Sequence, residues 1–511
     1  MTDEQPTSRR AARAAEAQSV AVPGDPATQG EAKRGGIGAL LRKHPTAWIV
    51  SAAAAVFVLL GTGSVFAGVA YASRAEAPVE TPEPEVSTPP PPRPVSTLPP
   101  TVSRLRTCSI AGAAADPRLM GFQGTILRAD TGEVLFDRGG ATPARTASVL
   151  KVFTAAAAVS ALGPDFQIRT SVLDGSTPGT IVLVGRGDAT LSALPVGQES
   201  FYPGAPKLQT LAEQTIAAYQ VAHPGVPITQ VVLDASYWNA ADKWDPSWKR
   251  SEQTIGYHSE VTALQVDGDR ADPTKSTSPR STDPIGRAGA AFLAALKAAD
   301  TSGTVVDPAV GTALGTAVGQ TSFGEVASQP LRTLIKQMLL VSDNTLAEML
   351  ARIVSRESGM NGSAASLQQA IPGQLSSTWQ VPTAGLVIRD GSGLSDLNAV
   401  PATVMASFMR QVRDGTAGLD VVRDGLSVSG KSGGLQSRFT GDNAAARGAV
   451  FAKTGWIDTA YTLAGYINAA DGTPLTFTFY AIGDGIKESA RAALDTLATA
   501  AFRCGDNLSN N

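Results

Sequence analysis

The distribution of apolar residues separates an N-terminal part without the pattern of a folded domain from a longer part that has it. Residues 1–44 are rich in Ala, Glu and Arg with few large apolar side chains, which predicts disorder. Residues 48–71 carry no charge, and about 20 apolar residues suffice to cross a bilayer, so we expect one transmembrane helix over 45–71. Residues 72–104 contain ten prolines between 78 and 100, which predicts a proline-rich, polyproline-like linker.

Charges beside the apolar run predict its orientation. Arg34, Arg42 and Lys43 precede it, and only Arg74 follows closely, so the positive-inside rule places the N-terminus in the cytoplasm. The catalytic part is then expected to be extracytoplasmic, in a single-pass protein of the cell membrane. A cleaved signal peptide is the alternative, because residues 75–77 (AEA) resemble a small-residue cleavage site. The run is longer than a usual signal-peptide core, which favours an uncleaved anchor.

Beyond the linker, the apolar pattern is that of a mixed α and β domain. Two alternating stretches, 124–128 and 133–138, flank Asp130-Thr131-Gly132 and predict a β-hairpin. Further strands are expected within 448–483 and a last helix near 486–502.

Composition narrows the chemistry to serine and lysine. The chain has three histidines (His44, His223 and His258) and two cysteines, so His/Cys metal clusters and Cys-His proteases are largely excluded. No histidine lies in a nucleophile-elbow setting. A net charge of −3 without a basic stripe gives no footprint for nucleic acid.

Ser148 and Lys151 are the first candidate pair. The sequence after Ser148 is strongly helical, and residues three apart on a helix share one face. A serine hydroxyl is a weak nucleophile until a neighbouring base removes its proton, and a partly desolvated lysine can do so. A helix cap and a solvated lysine are the ordinary alternative, but Lys151 alone among the lysines has a serine three residues before it.

Ser342-Asp343-Asn344 stands between two helical segments. All three residue types are also favoured at a helix N-cap, which is the alternative interpretation. As part of an active site, the Ser342 hydroxyl could relay a proton to a leaving nitrogen, while the Asn344 amide holds a substrate amide.

Lys453-Thr454-Gly455 lies between two strand-like runs. On an edge strand, Lys453 and Thr454 could hold a carboxylate, and Gly455 would let a substrate backbone approach. Residues 431–433 (KSG) fit the same pattern but stand among glycines without flanking strand alternation, so Lys453 is preferred.

With these three motifs in this order, residues 105–505 resemble the class C, low-molecular-mass penicillin-binding proteins, the D-alanyl-D-alanine carboxypeptidases and endopeptidases of peptidase family S13. The resemblance extends to LGPDFQIRT (162–170), VLVGRGDATLS (182–192), VVLDASYW (231–238), DGSGLS (390–395) and FAKTGWIDTAYTLAGYI (451–467).

The resemblance implies a serine D-Ala-D-Ala carboxypeptidase, with D,D-endopeptidase activity as a second expected reaction. Its substrates would be peptidoglycan stem peptides, its inhibitors β-lactams, and it would need no metal or organic cofactor. The alternatives are a β-lactamase or esterase on the same fold, and a catalytically inert wall-binding protein. The implied roles are nucleophile for Ser148, general base for Lys151, proton shuttle for Ser342, substrate orientation for Asn344, carboxylate binding for Lys453 and Thr454, close approach at Gly455, and an oxyanion hole formed by the backbone N–H groups of Ser148 and Trp456.

The implied fold is α+β, of the penicillin-binding transpeptidase and β-lactamase type. It has a five-stranded antiparallel sheet flanked by helices, a helical subdomain and one inserted domain. We expect the catalytic domain over 105–171 and 286–505, the insertion over 172–285, and a disordered tail over 506–511. Within the insertion, the polar stretch 270–287 is interpreted as loop.

Two further features concern the ends of the domain and its specificity. An extracytoplasmic compartment favours a disulfide between Cys108 and Cys504, with two free thiols as the alternative. In the implied fold these residues meet where the first strand and last helix are neighbours. Relatives commonly carry a basic residue after DGSGLS that helps to recognise the diamino-acid side chain of the stem peptide, whereas this chain has Asp396.

Overall fold

The computed structural model describes residues 105–319 and 321–510. The expected disordered segment 1–44, the expected transmembrane helix 45–71 and the linker 72–104 lie outside the described residues. No helix in the described part of the chain is long and apolar enough to cross a membrane.

The domain contains both strands and helices, as its apolar pattern predicts. In chain order, the strands are β1 Cys108–Ser109, β2 Gly121–Arg128, β3 Val134–Arg138, β4 Pro143–Ala144, β5 Arg169–Asp174, β6 Thr180–Val184, β7 Ile228–Asp234, β8 Val306–Leu314, β9 Ser322–Ala327, β10 Val400–Pro401, β11 Ser427–Val428, β12 Val450–Ile457, β13 Ala460–Asn468, β14 Pro474–Ile482 and β15 Leu508–Ser509. The helices are α1 Ala111–Ala114, α2 Lys151–Leu162, α3 Leu208–Ala222, α4 Ser251–Ile255, α5 Pro284–Ala299, α6 Leu331–Val341, α7 Asn344–Glu357, α8 Leu367–Trp379, α9 Ala402–Asp414, α10 Asp420–Arg423 and α11 Ala490–Cys504.

The catalytic sheet is built on three long antiparallel strands, β12, β13 and β14. The predicted hairpin is present as β2 and β3, and it lies against β14, where the Ala129 N–H donates to the Pro474 carbonyl at 2.8 Å. Eight of the nine residues of β13 are buried, because α9 packs on one face of the sheet and α11 on the other. Burial on both faces explains why this strand is a nearly continuous apolar run.

Helix α2 lies at the centre of the helical subdomain. Nine of its twelve residues, Lys151 to Val159, are buried, because α7 and α8 both pack against it. Small side chains at positions 155–158, all alanine, let the neighbouring helices approach closely. A helix surrounded on all sides is apolar all round, which leaves Lys151 as the one buried charged side chain of α2.

The inserted region is larger than the predicted range 172–285. Its sheet has the order β8-β7-β6-β5-β9 and therefore runs from Arg169 to Ala327. Strands β6, β7 and β8 are parallel, and α3 and α5 provide the crossover connections that parallel neighbours require. The boundary at 285 was wrong because β8 and β9 return to this sheet after α5.

The polar stretch 270–287 is not a surface loop throughout. Arg270 is buried, and its guanidinium donates to the Asp343 carboxylate at 2.9 Å and to the Tyr202 hydroxyl at 2.8 Å. The Tyr202 hydroxyl in turn donates to Asp343 at 2.8 Å. Asp343 is the N-cap of α7, accepting the N–H of Leu346. These contacts join the inserted region directly to the loop between α6 and α7.

The C-terminal residues are also ordered, so the predicted disordered tail over 506–511 was wrong for 506–510. Strand β15 pairs in parallel with β1, and the Asp506 carboxylate accepts hydrogen bonds from Arg106 and Arg128. The expected disulfide between Cys108 and Cys504 is present, with the two Cα atoms 5.5 Å apart. By restricting the unfolded chain, such a bridge typically contributes about 2–4 kcal/mol.

Substitution of Arg270 should destabilise the fold through Asp343. Burial alone would raise the pKa of Asp343, but Arg270 and the Leu346 N–H outweigh it and hold the pKa at about 2. In Arg270→Met that carboxylate stays buried without its nearest cation, so we expect the free energy of unfolding at pH 7 to fall by roughly 3–5 kcal/mol in urea titrations of the full-length protein.

The matched control is the double variant Arg270→Met/Asp343→Asn. Asparagine caps a helix without a charge, so most of the loss should be recovered. Because the folded pKa of Asp343 lies below its unfolded value, its contribution is complete above about pH 4 and disappears toward pH 2. Without Arg270, burial raises the pKa of Asp343 in the single variant, so the difference from wild type should begin to shrink as that carboxylate takes up a proton and should be lost toward pH 2. Equal losses in the single and double variants would contradict this role of the ion pair.

Candidate active site

The turn that presents Ser148 is tightly enclosed. Residues 147–150 form a short 3-10 helix that leads into α2, and Ser148 is 4% exposed. Ala147 has a positive φ of 45°, a conformation that costs a non-glycine residue of order 1 kcal/mol or more and is found mostly where function requires it. A Cβ on Gly455 would lie 2.9 Å from the backbone nitrogen of Ser148, so glycine is required for β12 to run beside this turn.

Lys151 is the centre of the site. Its side chain is fully buried, and Nζ lies 3.0 Å from Ser148 Oγ, 2.8 Å from Asn344 Oδ1 and 2.7 Å from the Ser392 carbonyl oxygen. These partners come from three separate segments of the chain: the turn before α2, the start of α7 and the DGSGLS loop. One lysine therefore fixes the relative positions of the motifs around it.

The loop between α6 and α7 brings Ser342 and Asn344 to the same site. Ser342 ends α6 with a positive φ of 59°, and its Oγ accepts a hydrogen bond from Lys453 Nζ at 3.0 Å. Asn344 is buried, and while its Oδ1 accepts from Lys151, its Nδ2 has no partner within the described chain. That buried amide N–H₂ therefore has unused donors.

Strand β12 carries the third motif along the edge of the cleft. The short strand β11 pairs only with Phe451 and Ala452, so in the described chain no named strand covers β12 from Lys453 onward on that side. Lys453 is buried, and Nζ donates to Ser342 Oγ and to the Thr454 carbonyl oxygen. The alternative motif at 431–433 lies in the turn after β11, not on a strand.

Two buried carboxylates hold the DGSGLS loop by accepting its backbone N–H groups, a role that the sequence did not predict. Asp390 accepts the N–H groups of Gly393 and Ser395, and Glu348 on α7 accepts those of Gly391 and Ser392. Burial and the neighbouring Asp390 carboxylate raise the pKa of Glu348 to about 7. Burial also raises the pKa of Asp390. The two carboxylates fix the loop whose Ser392 carbonyl binds Lys151.

Two clefts open on either side of Trp456. The first, of about 210 Å³, is bordered by Ser148, Ser342 and Thr454 and continues toward α11. The second, of about 190 Å³, is bordered by residues of the DGSGLS loop, α4 and the turn after β12, and by Asp396. The first cleft thus gives access to the Ser148 hydroxyl, and the second adjoins it.

Of the residues expected in the site, Ser148, Ser342, Thr454, Gly455 and Trp456 border the first cleft. Hydrogen bonds join the others to them: Lys151 to Ser148 and Asn344, and Lys453 to Ser342. The Ser148 hydroxyl lies beside the buried amine of Lys151, and the Ser342 hydroxyl beside Lys453. With the unused amide donors of Asn344, these are the groups that serine acyl transfer requires.

The sequence missed Tyr257, Arg438 and Arg491 in the wall of the first cleft. No local motif marks them, because they lie on separate segments: Tyr257 just after α4, Arg438 between β11 and β12, and Arg491 on α11. Within the described residues, no group of His, Cys, Asp or Glu side chains has the arrangement of a metal site.

Comparisons with known proteins agree on one family. The family model for the D-Ala-D-Ala carboxypeptidase 3 (S13) family matches residues 107–280 and 269–501. The chain is 33% identical over 461 residues to carboxypeptidase DacB of Mycolicibacterium smegmatis, covering 89% of this chain and 96% of that protein. It is 28% identical to a D-alanyl-D-alanine carboxypeptidase of an Actinomadura species, covering 70% and 77% of the two chains.

The fold is likewise shared with a solved structure. Penicillin-binding protein 4 of Haemophilus influenzae superimposes with a TM-score of 0.59 at 18% identity, covering 74% of this chain and 94% of that one. That structure shows the shared fold, and the family model together with the relative from M. smegmatis shows that the chain belongs to the D-Ala-D-Ala carboxypeptidase 3 (S13) family.

Proposed function

We propose that this protein is a serine D-Ala-D-Ala carboxypeptidase that acts on peptidoglycan stem peptides through an acyl-serine intermediate. The observation that carries the proposal is the set of three groups around Lys151 Nζ. Asn344 Oδ1 and the Ser392 carbonyl can only accept hydrogen bonds, whereas the Ser148 hydroxyl can donate. In the structure Lys151 Nζ donates to all three groups; as a neutral amine it would keep its donors for the two acceptors and turn its lone pair to the Ser148 hydroxyl, as a general base requires.

In the acylation step, Ser148 Oγ attacks the carbonyl carbon of the penultimate D-alanine, and its proton passes to Lys151. The oxyanion forms beside the backbone N–H groups of Ser148 and Trp456, and such preorganised donors commonly contribute about 3–4 kcal/mol each. The Ser342 hydroxyl delivers a proton to the leaving nitrogen, the C–N bond breaks, and D-alanine departs. Water then hydrolyses the acyl-serine.

The remaining residues would hold the substrate. Lys453 and Thr454 bind its terminal carboxylate, Asn344 Nδ2 donates to the amide of the acyl donor, and Gly455 lets the peptide approach β12. The same steps with a larger amine as leaving group give D,D-endopeptidase activity. β-Lactams would acylate Ser148 as mimics of the dipeptide; a structure of the H. influenzae neighbour has been solved in complex with a β-lactam.

Substitution of Ser148 tests the proposal directly. The full-length wild type should be labelled covalently by a tagged penicillin and should release D-alanine from a D-Ala-D-Ala peptide. Ser148→Ala should lose the label and reduce D-alanine release by more than about a thousand-fold, because the nucleophile is removed. Ser160→Ala, on the same helix but hydrogen-bonded to Gln374 and Thr378, should behave as wild type.

Other outcomes of this assay discriminate between functions. If wild type hydrolyses penicillin rapidly and releases no D-alanine, the protein is a β-lactamase instead. Stable folding without label or turnover in wild type would replace it by an inert wall-binding protein. Labelling that persists in Ser148→Ala would assign the nucleophile to a different residue.

The second cleft would receive the side chain of the residue before the D-Ala-D-Ala unit. Among the described residues that border it, the charged ones are Asp396, Glu252 and Asp458 against the cation Lys249, whose Nζ lies 2.5 Å from Asp458. The excess of carboxylates favours an ammonium-bearing side chain there. Asp396, partly exposed, replaces the basic residue that relatives commonly carry after the DGSGLS run.

Asp396→Asn should therefore change selectivity more than turnover. With peptides that carry lysine or its N-acetylated form before D-Ala-D-Ala, wild type should prefer the free amine. The variant should lose about 3- to 5-fold of that preference in kcat/KM, the size expected for a partly solvated ion pair. Asp424→Asn serves as the control, because Asp424 follows the last residue of α10 and borders neither cleft. An unchanged preference in Asp396→Asn would remove Asp396 from substrate recognition.

We place the protein in the cell membrane, with a cytoplasmic N-terminus and an extracytoplasmic catalytic domain. The uncharged run 48–71, the basic residues before it and the disulfide between Cys108 and Cys504 support this location, since disulfides persist in oxidising compartments.

Cell fractionation with thiol labelling tests this location. The protein should remain with the membranes, and its two cysteines should resist a maleimide until they are reduced. Cys108→Ser should make Cys504 reactive without reduction. Release of a shortened protein into the medium would support signal-peptide cleavage instead, and free thiols in the wild type would argue for the cytoplasm.

A further inference from the structure

The first cleft does not end where the terminal carboxylate of a D-Ala-D-Ala peptide would bind. Beyond Thr454 its wall continues with Gly434, Arg438, Arg491 and Leu494. The two arginines are the charged side chains of this wall, and no carboxylate of the described residues borders the cleft. This part of the wall therefore presents two guanidinium groups, and the carboxylates that pair with them, Asp495 and Glu488, do not border the cleft.

The first arginine, Arg438, fixes the geometry of that end. Its side chain is 12% exposed and donates through Nε and Nη2 to the buried carboxylate of Asp495 on α11. Nη2 also donates to the Arg491 carbonyl oxygen at 3.2 Å. Arg438 thereby ties the turn after β11 to α11 and holds the backbone of Arg491 beside the cleft.

The second arginine, Arg491, is the group available to a ligand. Its side chain is 44% exposed, and Nη1 donates to Glu488, three residues earlier, at 2.6 Å. Its Nε and Nη2 make no hydrogen bond within the described chain. A guanidinium presents its donors as a planar fork that matches a carboxylate, so this unused edge can bind one while the contact with Glu488 remains.

We propose that Arg491 is a specificity-determining residue that binds a second carboxylate on the leaving side of the scissile bond. The inference rests on the proposed function, because it assumes that the first carboxylate of the released residue lies at Lys453 and Thr454. The favoured substrates are then peptides whose released residue carries an additional carboxylate on its side chain, which D-alanine lacks.

Three peptides that differ only in the last residue test the proposal: D-Ala, D-Glu and D-Gln after the same acyl donor. D-Glu and D-Gln have the same shape, so their ratio of kcat/KM isolates the charge. Full-length wild type should favour D-Glu over D-Gln by about 5-fold at low salt, the effect of roughly 1 kcal/mol for a partly exposed pair, and less at high salt.

The variants separate recognition from folding. Arg491→Gln should bring the D-Glu to D-Gln ratio to about one, and its covalent labelling by tagged penicillin reports that the variant is folded. Arg491→Lys should keep part of the preference. Arg503→Gln, on the last turn of the same helix with its guanidinium on the Asp442 carbonyl, should keep all of it.

The outcomes distinguish this inference from the function on which it rests. A D-Glu to D-Gln ratio near or below one in wild type, or a ratio that Arg491→Gln does not change, overturns the role of Arg491 while D-alanine release upholds the carboxypeptidase. Absence of D-alanine release by wild type overturns both.

Discussion

The organisation of the site depends on one buried amine. Lys151 Nζ contacts the hydroxyl of Ser148 in the preceding turn, and the Asn344 amide and the Ser392 carbonyl, which lie 193 and 241 residues away along the chain. A fully buried lysine without such partners would be strongly destabilising, since isolated buried charges and polar groups are costly. The fold must therefore bring all three segments to the same point, and in doing so it places the Ser148 hydroxyl beside a group able to remove its proton.

The supports of this amine extend outward in two directions. On one side, Glu348 and Asp390 fix the DGSGLS loop that supplies the Ser392 carbonyl. On the other, Arg270 and Tyr202 of the inserted region hold Asp343, and Asp343 caps the helix that begins with Asn344. The insertion is thus more than an appendage on the surface, because a buried ion pair couples it to a residue that contacts Lys151.

The sequence was informative where local patterns decide the structure. Spacing placed Ser148 and Lys151 on one helix face, alternation located the hairpin and β12, and the two cysteines were paired correctly. It was misleading where burial comes from tertiary contacts. The stretch 270–287 is polar by composition, yet Arg270 is buried because Asp343 and Tyr202, 73 and 68 residues away along the chain, satisfy it. For the same reason β8, β9 and the tail at 508–509 were missed: their partners are remote strands.

The two clefts carry different charges, and on the proposed function each would recognise the substrate on a different side of the scissile bond. Trp456 borders both, so on the proposed function a peptide that acylates Ser148 would extend from one cleft to the other past this residue. The wall toward α11 carries arginines and suits anions, whereas the cleft at Asp396 carries an excess of carboxylates and suits cations. Both clefts are partly solvated, so an ion pair in either one would contribute only about 1 kcal/mol to binding. The two contributions would add for a substrate with its cation in the second cleft and its anion in the first. A substrate bound in the reverse direction would place like charges together. On the proposed function, this electrostatic pattern would favour one direction of the bound peptide, while Lys151 would activate Ser148.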